Sequence, residues 1–142
     1  IDGVIVSNHG GRQLDGAVSP LRVLPVLREA VGPRTALMVD SGFRRGSDVL
    51  KALALGADFV FIGRPFNYAA ATAGPAGVAH AAKILAAEID TNMGLLGINS
   101  LDELGRGHLV IRGELPYSAA ENAGGARAEE ERGSNPRVSS RA

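Results

Sequence analysis

Three short apolar runs punctuate the first half of the chain, each closed by polar or glycine residues. Val4-Ile5-Val6 leads into Ser7-Asn8-His9, Ala36-Leu37-Met38-Val39 into Asp40-Ser41-Gly42, and Phe59-Val60-Phe61-Ile62 into Gly63-Arg64. Apolar at consecutive rather than alternate positions, they read as parallel strands buried on both faces. Helical spacing fills the gaps. Pro25 predicts the first turn of a helix running to about Val31, with Gly32 as its stop. Ser47 is read as the cap of a second helix through Leu55, with Val49, Ala52 and Leu53 inward and Gly56 ending it. After the third run, Arg64-Pro65-Phe66 opens a short helix to about Ala73, which Gly74-Pro75 breaks. A longer amphipathic helix spans about Val78 to Met93, with Val78, Ala81, Ala82, Leu85, Ile89 and Met93 on one stripe. Ser100 and Glu103 predict a capping box on a last short helix.

Strands alternating with helices predict right-handed βα units on a parallel sheet. In such folds the carboxyl ends of the strands face the ligand. The topology therefore predicts that His9, Arg12, Asp40, Arg44 and Arg64 converge on one face, which no single motif displays. Ser7-Asn8-His9-Gly10-Gly11-Arg12-Gln13-Leu14-Asp15 is the richest stretch. Two glycines free the backbone to turn tightly, and His9 and Arg12 emerge three residues apart. Histidine exchanges protons near neutral pH, and the planar guanidinium matches a carboxylate. As an isolated residue His9 would be a loop side chain satisfied by backbone groups, and Arg12 a surface ion-pair partner of little consequence. Their shared position past a strand favours a base and a carboxylate clamp. Asp15 reads as a turn residue, and Gln13 and Leu14 as loop packing.

A second constellation is Asp40-Ser41-Gly42-Phe43-Arg44-Arg45-Gly46, with Gly63-Arg64 on the next strand. Its glycines let backbone N–H groups approach an anion, and Arg44 and Arg64 supply charge. In barrel enzymes phosphate sites commonly lie in the loops after strands seven and eight. The helix after Ser47 adds a dipole end, and the helix entered at Arg64 is the alternative. Solvated arginines on glycine-rich turns are the competing explanation; Arg45 is assigned to that class. His80 and His108 lie apart from these loops and receive no role.

Composition narrows the rest. The 142 residues carry 15 basic and 15 acidic side chains, so no attraction to nucleic acid or a membrane surface follows. With 45% apolar residues the chain can build a core of one domain. It has no cysteine, which removes disulfides and thiolate chemistry and fits a reducing compartment. Aromatic residues amount to 4%, with no Trp, which disfavours base stacking. No His/Asp/Glu spacing predicts a metal site, and no run approaches a membrane span. An Ile at position 1, almost directly before a strand, reads as the C-terminal part of a longer protein. Residues 1–112 are expected to be the folded part. From Gly113 large apolar residues become scarce, and residues 113–142 read as a disordered tail.

The Ser7–Asp15 motif, together with Asp40-Ser41-Gly42-Phe43-Arg44-Arg45-Gly46-Ser47-Asp48-Val49 and Lys51-Ala52-Leu53-Ala54-Leu55-Gly56-Ala57, resembles the FMN-dependent α-hydroxy-acid dehydrogenase and oxidase family. The resemblance covers Ile1 to about Leu109. Many members have Gly at the position of Ser41, whereas bacterial lactate- and mandelate-type members often carry Ser. It implies the α/β class and, specifically, strands six to eight and the following helices of a (β/α)8 TIM barrel, which as a whole takes roughly 250 residues. It implies that His9 is the proton acceptor, Arg12 the substrate-carboxylate residue and Ser7 a flavin contact. Asp40, Ser41, Gly42, Phe43, Arg44, Gly63 and Arg64 are implied to hold the FMN ribityl phosphate. The implied reaction oxidises a small L-2-hydroxy acid to the 2-oxo acid in the full-length protein, with oxygen or a quinone or other carrier as final acceptor. Removal of the hydroxyl proton with hydride transfer and removal of the α-proton both fit the sequence. A homo-oligomer is implied, cytoplasmic or peripheral on the inner membrane face. Competing readings are a truncated non-catalytic relic and a non-redox FMN barrel such as the flavin-dependent isopentenyl diphosphate isomerase. The isolated fragment is expected to be inactive and prone to association, with Val4, Val6, Leu37, Val39, Val60 and Ile62 as inner residues left uncovered.

Overall fold

The computed structural model describes residues 1–110, so the tail expected at 113–142 lies outside the described residues. The three apolar runs form β1 (Gly3–Val6), β2 (Ala36–Val39) and β3 (Phe59–Val60), all parallel in the order β1-β2-β3. Val4 pairs with Leu37 and Val6 with Val39, and Val39 in turn pairs with Val60. Helices α1 (Pro20–Val31) and α2 (Gly46–Ala54) are the two crossovers, and α3 (Arg64–Leu96) follows β3. Short 3-10 turns occupy His9–Gly11, Leu101–Glu103 and Arg106–His108. The last strand is shorter than its apolar run, although Phe61 N still donates to Val39 O at 2.8 Å.

Among the described residues, the sheet is covered on one face only. Val6, Leu37 and Val39 are buried with Leu24, Phe43, Ala52 and Ala57, and Val4, Val60 and Ile62 pack against that cluster. On the opposite face Ile5 is 53%, Phe59 55% and Phe61 41% exposed, the two rings meeting edge to face at 5.0 Å. This corrects the expected sidedness. The runs are apolar at every position, so sequence cannot say which parity the helices take. The residues expected to be uncovered are the ones that α1 and α2 bury, and the open face belongs to Ile5, Met38, Phe59 and Phe61.

Helix boundaries also shift for local reasons. The first helix starts at Pro20, not Pro25. Pro20 occupies the first turn, where a missing N–H removes no bond, while Pro25 lies inside the helix and is buried against the core. In α2 the cap is Arg45, and Asp48 Oδ2 accepts from the backbone N–H groups of Arg44 and Arg45 at 3.1 Å. Ser47 is therefore helical, and Leu50, Ala52 and Ala54 are the buried residues of α2 rather than Val49 and Leu53. The break expected at Gly74-Pro75 is present as a kink within α3, where Ala73 and Gly74 leave helical geometry. Ser100 and Glu103 form the expected capping box: Glu103 Oε1 accepts from Ser100 N at 3.0 Å and Ser100 Oγ from Asp102 N at 3.2 Å.

The amino ends of the strands are tied by one side chain. Arg28 donates to the carbonyls of Gly32, Thr35 and Gly56 at 2.8, 3.0 and 2.8 Å and pairs with Asp58. Asp58 Oδ2 also accepts from Leu37 N at 2.7 Å, which closes the network onto β2.

Candidate active site

At the carboxyl ends of the strands the loops enclose a cleft of about 260 Å³. His9 and Arg12 line it from the loop after β1, Asp40 to Arg44 from the loop after β2, and Gly63 and Arg64 from the end of β3. The five residues expected from topology to converge, His9, Arg12, Asp40, Arg44 and Arg64, all line the cleft, as do Ser41, Gly42, Phe43 and Gly63. Ser7 is not part of the lining. It sits behind the base loop, its Oγ accepting from His9 N at 3.0 Å.

The loop after β1 is set by three consecutive left-handed residues, His9 at φ 55°, Gly10 at 64° and Gly11 at 72°. Glycine adopts this region freely, but histidine does so at a cost of about 1 kcal/mol. The turn projects an exposed His9, with Nδ1 3.1 Å from Gln13 Oε1. Of the two ring nitrogens, Nδ1 is therefore the one held within the loop, against Gln13. Arg12 is exposed beside it.

The other wall suits an anion. Gly42 stands at φ 89°, and a Cβ built there or on Gly63 would meet no atom within 4 Å, so both backbones are open to a ligand. Phe43 is 3% exposed and belongs to the core, so its contribution to the cleft comes from the backbone. Among the described residues, Arg12, Arg44 and Arg64 have no carboxylate within 4.0 Å. Arg64 Nη2 donates to Gly10 O at 3.0 Å, bridging the two walls. Arg45, by contrast, pairs with Glu88 at 2.9 Å, in keeping with a structural role.

One expected contributor does not reach the cleft. Gly46 N, at the start of α2, donates to Glu88 Oε2 at 2.7 Å, and Asp48 caps the preceding amides. The dipole of α2 is met by the protein's own carboxylates. Of the two helix ends considered, that of α3 lines the cleft, through Arg64, Pro65 and Asn67. Gly10, Phe61, Ile62, Pro65 and Asn67 are lining residues that sequence reasoning missed. Asn67 lies one helical turn beyond Arg64, a spacing that carried the signal. Phe61 needed the parity of β3, which sequence did not supply.

These residues fit the phosphate end of a flavin mononucleotide: Arg44 and Arg64, which have no acidic partner among the described residues, share one cleft with two open glycine backbones and a helix start. Residues 1–111 match the sequence profile of a family described as FMN-dependent dehydrogenase. The solved structure of a soluble mutant of the membrane-associated (S)-mandelate dehydrogenase from Pseudomonas putida is similar at 45% identity and a TM-score of 0.75, over 78% of this chain and 31% of that one. Mandelate oxidase with benzoyl-formic acid is similar at 48% identity and a TM-score of 0.70, over 74% of this chain and 31% of that one. The chain therefore spans about a third of the length of the solved structures it matches.

Proposed function

The chain belongs to the FMN-dependent dehydrogenase family, and from that premise we propose that its cleft is the phosphate and substrate-carboxylate half of a flavin site that oxidises a small L-2-hydroxy acid to the 2-oxo acid. The observation carrying this reading is the meeting of His9 with three cations lacking acidic partners in one cleft. In this proposal β1, β2 and β3 are strands six, seven and eight of a (β/α)8 barrel. Residues beyond those of this chain supply the other strands and cover the open face of Ile5, Met38, Phe59 and Phe61. Both the 31% coverage of the matched structures and the exposure of that face support it.

The geometry supports the following roles within this proposal. Arg44, Arg64 and the open backbones at Gly42 and Gly63 hold the ribityl phosphate, with Asp40, Ser41 and Phe43 shaping that loop and Ser7 backing it. Arg12 grips the substrate carboxylate through its fork. His9, with Nδ1 turned toward Gln13, is the group that accepts a proton from the bound acid. FMN held by these residues would supply the two-electron acceptor, with oxygen or a quinone or other carrier as the final acceptor. A cytoplasmic or peripheral membrane location and a homo-oligomeric state belong to the same proposal. No helix of the described residues is long and apolar enough to cross a membrane.

Anaerobic mixing of the flavin-loaded full-length protein, in which the remaining strands are present, with mandelate, lactate and glycolate tests the reading. Bleaching of the flavin absorbance by at least one acid, with stoichiometric 2-oxo acid, is the expected result. Flavin that stays oxidised with every acid would refute the proposed oxidation. It would favour the second reading, a non-catalytic relic, which the partial coverage of the relatives also suits.

A further inference from the structure

Ser41 belongs to the anion loop by position, yet its hydroxyl faces the base loop. Ser41 Oγ lies 2.6 Å from Asp40 Oδ1, 3.0 Å from Gly10 N and 3.5 Å from Ser7 Oγ. A hydroxyl has a single hydrogen. Donated to the Asp40 carboxylate, it leaves Oγ as the acceptor for the Gly10 amide and the Ser7 hydroxyl. Ser7 Oγ in turn accepts from His9 N at 3.0 Å. The amides of both His9 and Gly10 therefore end on one hydroxyl pair anchored by Asp40. From the other side Arg64 Nη2 holds the Gly10 carbonyl at 3.0 Å.

This clamp acts where the backbone most needs it. His9 at φ 55° is a non-glycine residue in the left-handed region, a state that persists only when its surroundings over-determine it. Ser41 is the other such residue, at φ 77°. Glycine would occupy that position without strain, so what serine adds there is the hydroxyl. We propose that Ser41 is a positioning residue for His9: its hydroxyl, oriented by Asp40, holds the left-handed turn that aims the imidazole into the cleft. The inference rests on the base role given to His9 above and adds to Ser41 a function separate from holding phosphate.

Ser41→Gly and Ser41→Ala in the full chain separate hydroxyl from backbone. Glycine relieves the positive φ and alanine keeps it, while both remove Oγ. Amide hydrogen exchange at His9 and Gly10 should be about tenfold faster in both variants, as expected for loss of a hydrogen bond that closes the turn. In the flavin-loaded protein, anaerobic reduction by the acid should slow by about 10- to 100-fold, the effect of a misaimed base. The slower reduction should persist at saturating FMN and saturating acid, which separates a misaimed base from weakened binding. Unchanged exchange at both amides would overturn the proposal. So would a defect in Ser41→Ala alone, which assigns the effect to strain, or a rate loss that tracks lost FMN. Accelerated exchange in a protein whose wild-type flavin no 2-hydroxy acid reduces would support the clamp and count against the proposed oxidation instead.

Discussion

His9 and Arg12 occupy one short loop but are exposed to different failures. His9→Ala removes the proposed proton acceptor and leaves the proposed phosphate wall intact. Flavin content should be unchanged while anaerobic reduction slows about 10²–10⁴-fold, the usual contribution of a general base; near-normal stopped-flow rates would take His9 out of that role. Arg12→Lys keeps the charge and loses the fork. With roughly 1.5–3 kcal/mol at stake in a charge-assisted bond, affinity for a 2-oxo acid should fall while FMN stays bound. If flavin is lost instead, Arg12 serves the cofactor. The left-handed φ of His9 was not legible in the sequence, although the adjacent Gly10-Gly11 pair marked a tight turn. Nothing in the residue types Ser7, Asp40 and Ser41 disclosed that their polar atoms would join in one network. That took the register of β1 against β2, which brings their carboxyl ends side by side.

Among the elements, α2 and α3 pack through a glycine. A Cβ on Gly46 would stand 2.6 Å from Glu88 Cβ and 2.7 Å from Ile89 N, so α3 lies against the start of α2. Gly46→Ala should force the helices apart and cost about 1–3 kcal/mol, typical of overpacking, measured as a lower denaturant midpoint at unchanged slope. The two anion loops offer a different test. Arg44→Ala and Arg64→Ala should each weaken FMN more than riboflavin in fluorescence titrations, because only FMN carries the phosphate; equal losses for the two flavins would contradict the phosphate assignment. At this scale the sequence was informative wherever one residue type decides the outcome. The Gly74-Pro75 break and the Ser100–Glu103 box were legible because proline, glycine and capping residues act locally. The start of α1 and the cap of α2 were not, since two prolines compete for the first and Asp48 displaces Ser47 at the second. Both contests were settled by tertiary packing: Pro25 is buried in the core, and Glu88 of α3 meets the first amide of α2.

At the scale of the whole molecule, the described residues form a half-covered sheet, with Ile5, Phe59 and Phe61 on its open face and no strand beyond β1 or β3 among them. Apolar patches and unpaired edges promote association. The isolated 142-residue chain should sediment as oligomers or aggregates, and Ile5→Thr with Phe59→Thr should shift it toward monomer; a monodisperse wild-type monomer would contradict this. Parallel pairing and the site's place at the carboxyl ends could be anticipated from alternation alone, whereas the sidedness of the sheet could not, because every strand position is apolar. The Arg28 network gives this layout a further meaning. It fastens the amino ends of β2 and β3, and the cleft residues all lie beyond the opposite ends. Substitutions at 8–18, 40–42 and 44 therefore alter the cleft without touching that fastening, the buried Phe43 or the Arg45–Glu88 pair. Such a division makes the scaffold evolvable: lineages can try new acids in the loops while inheriting an unaltered foundation, and a library confined to those loops should stay folded far more often than one that includes Arg28 or Asp58.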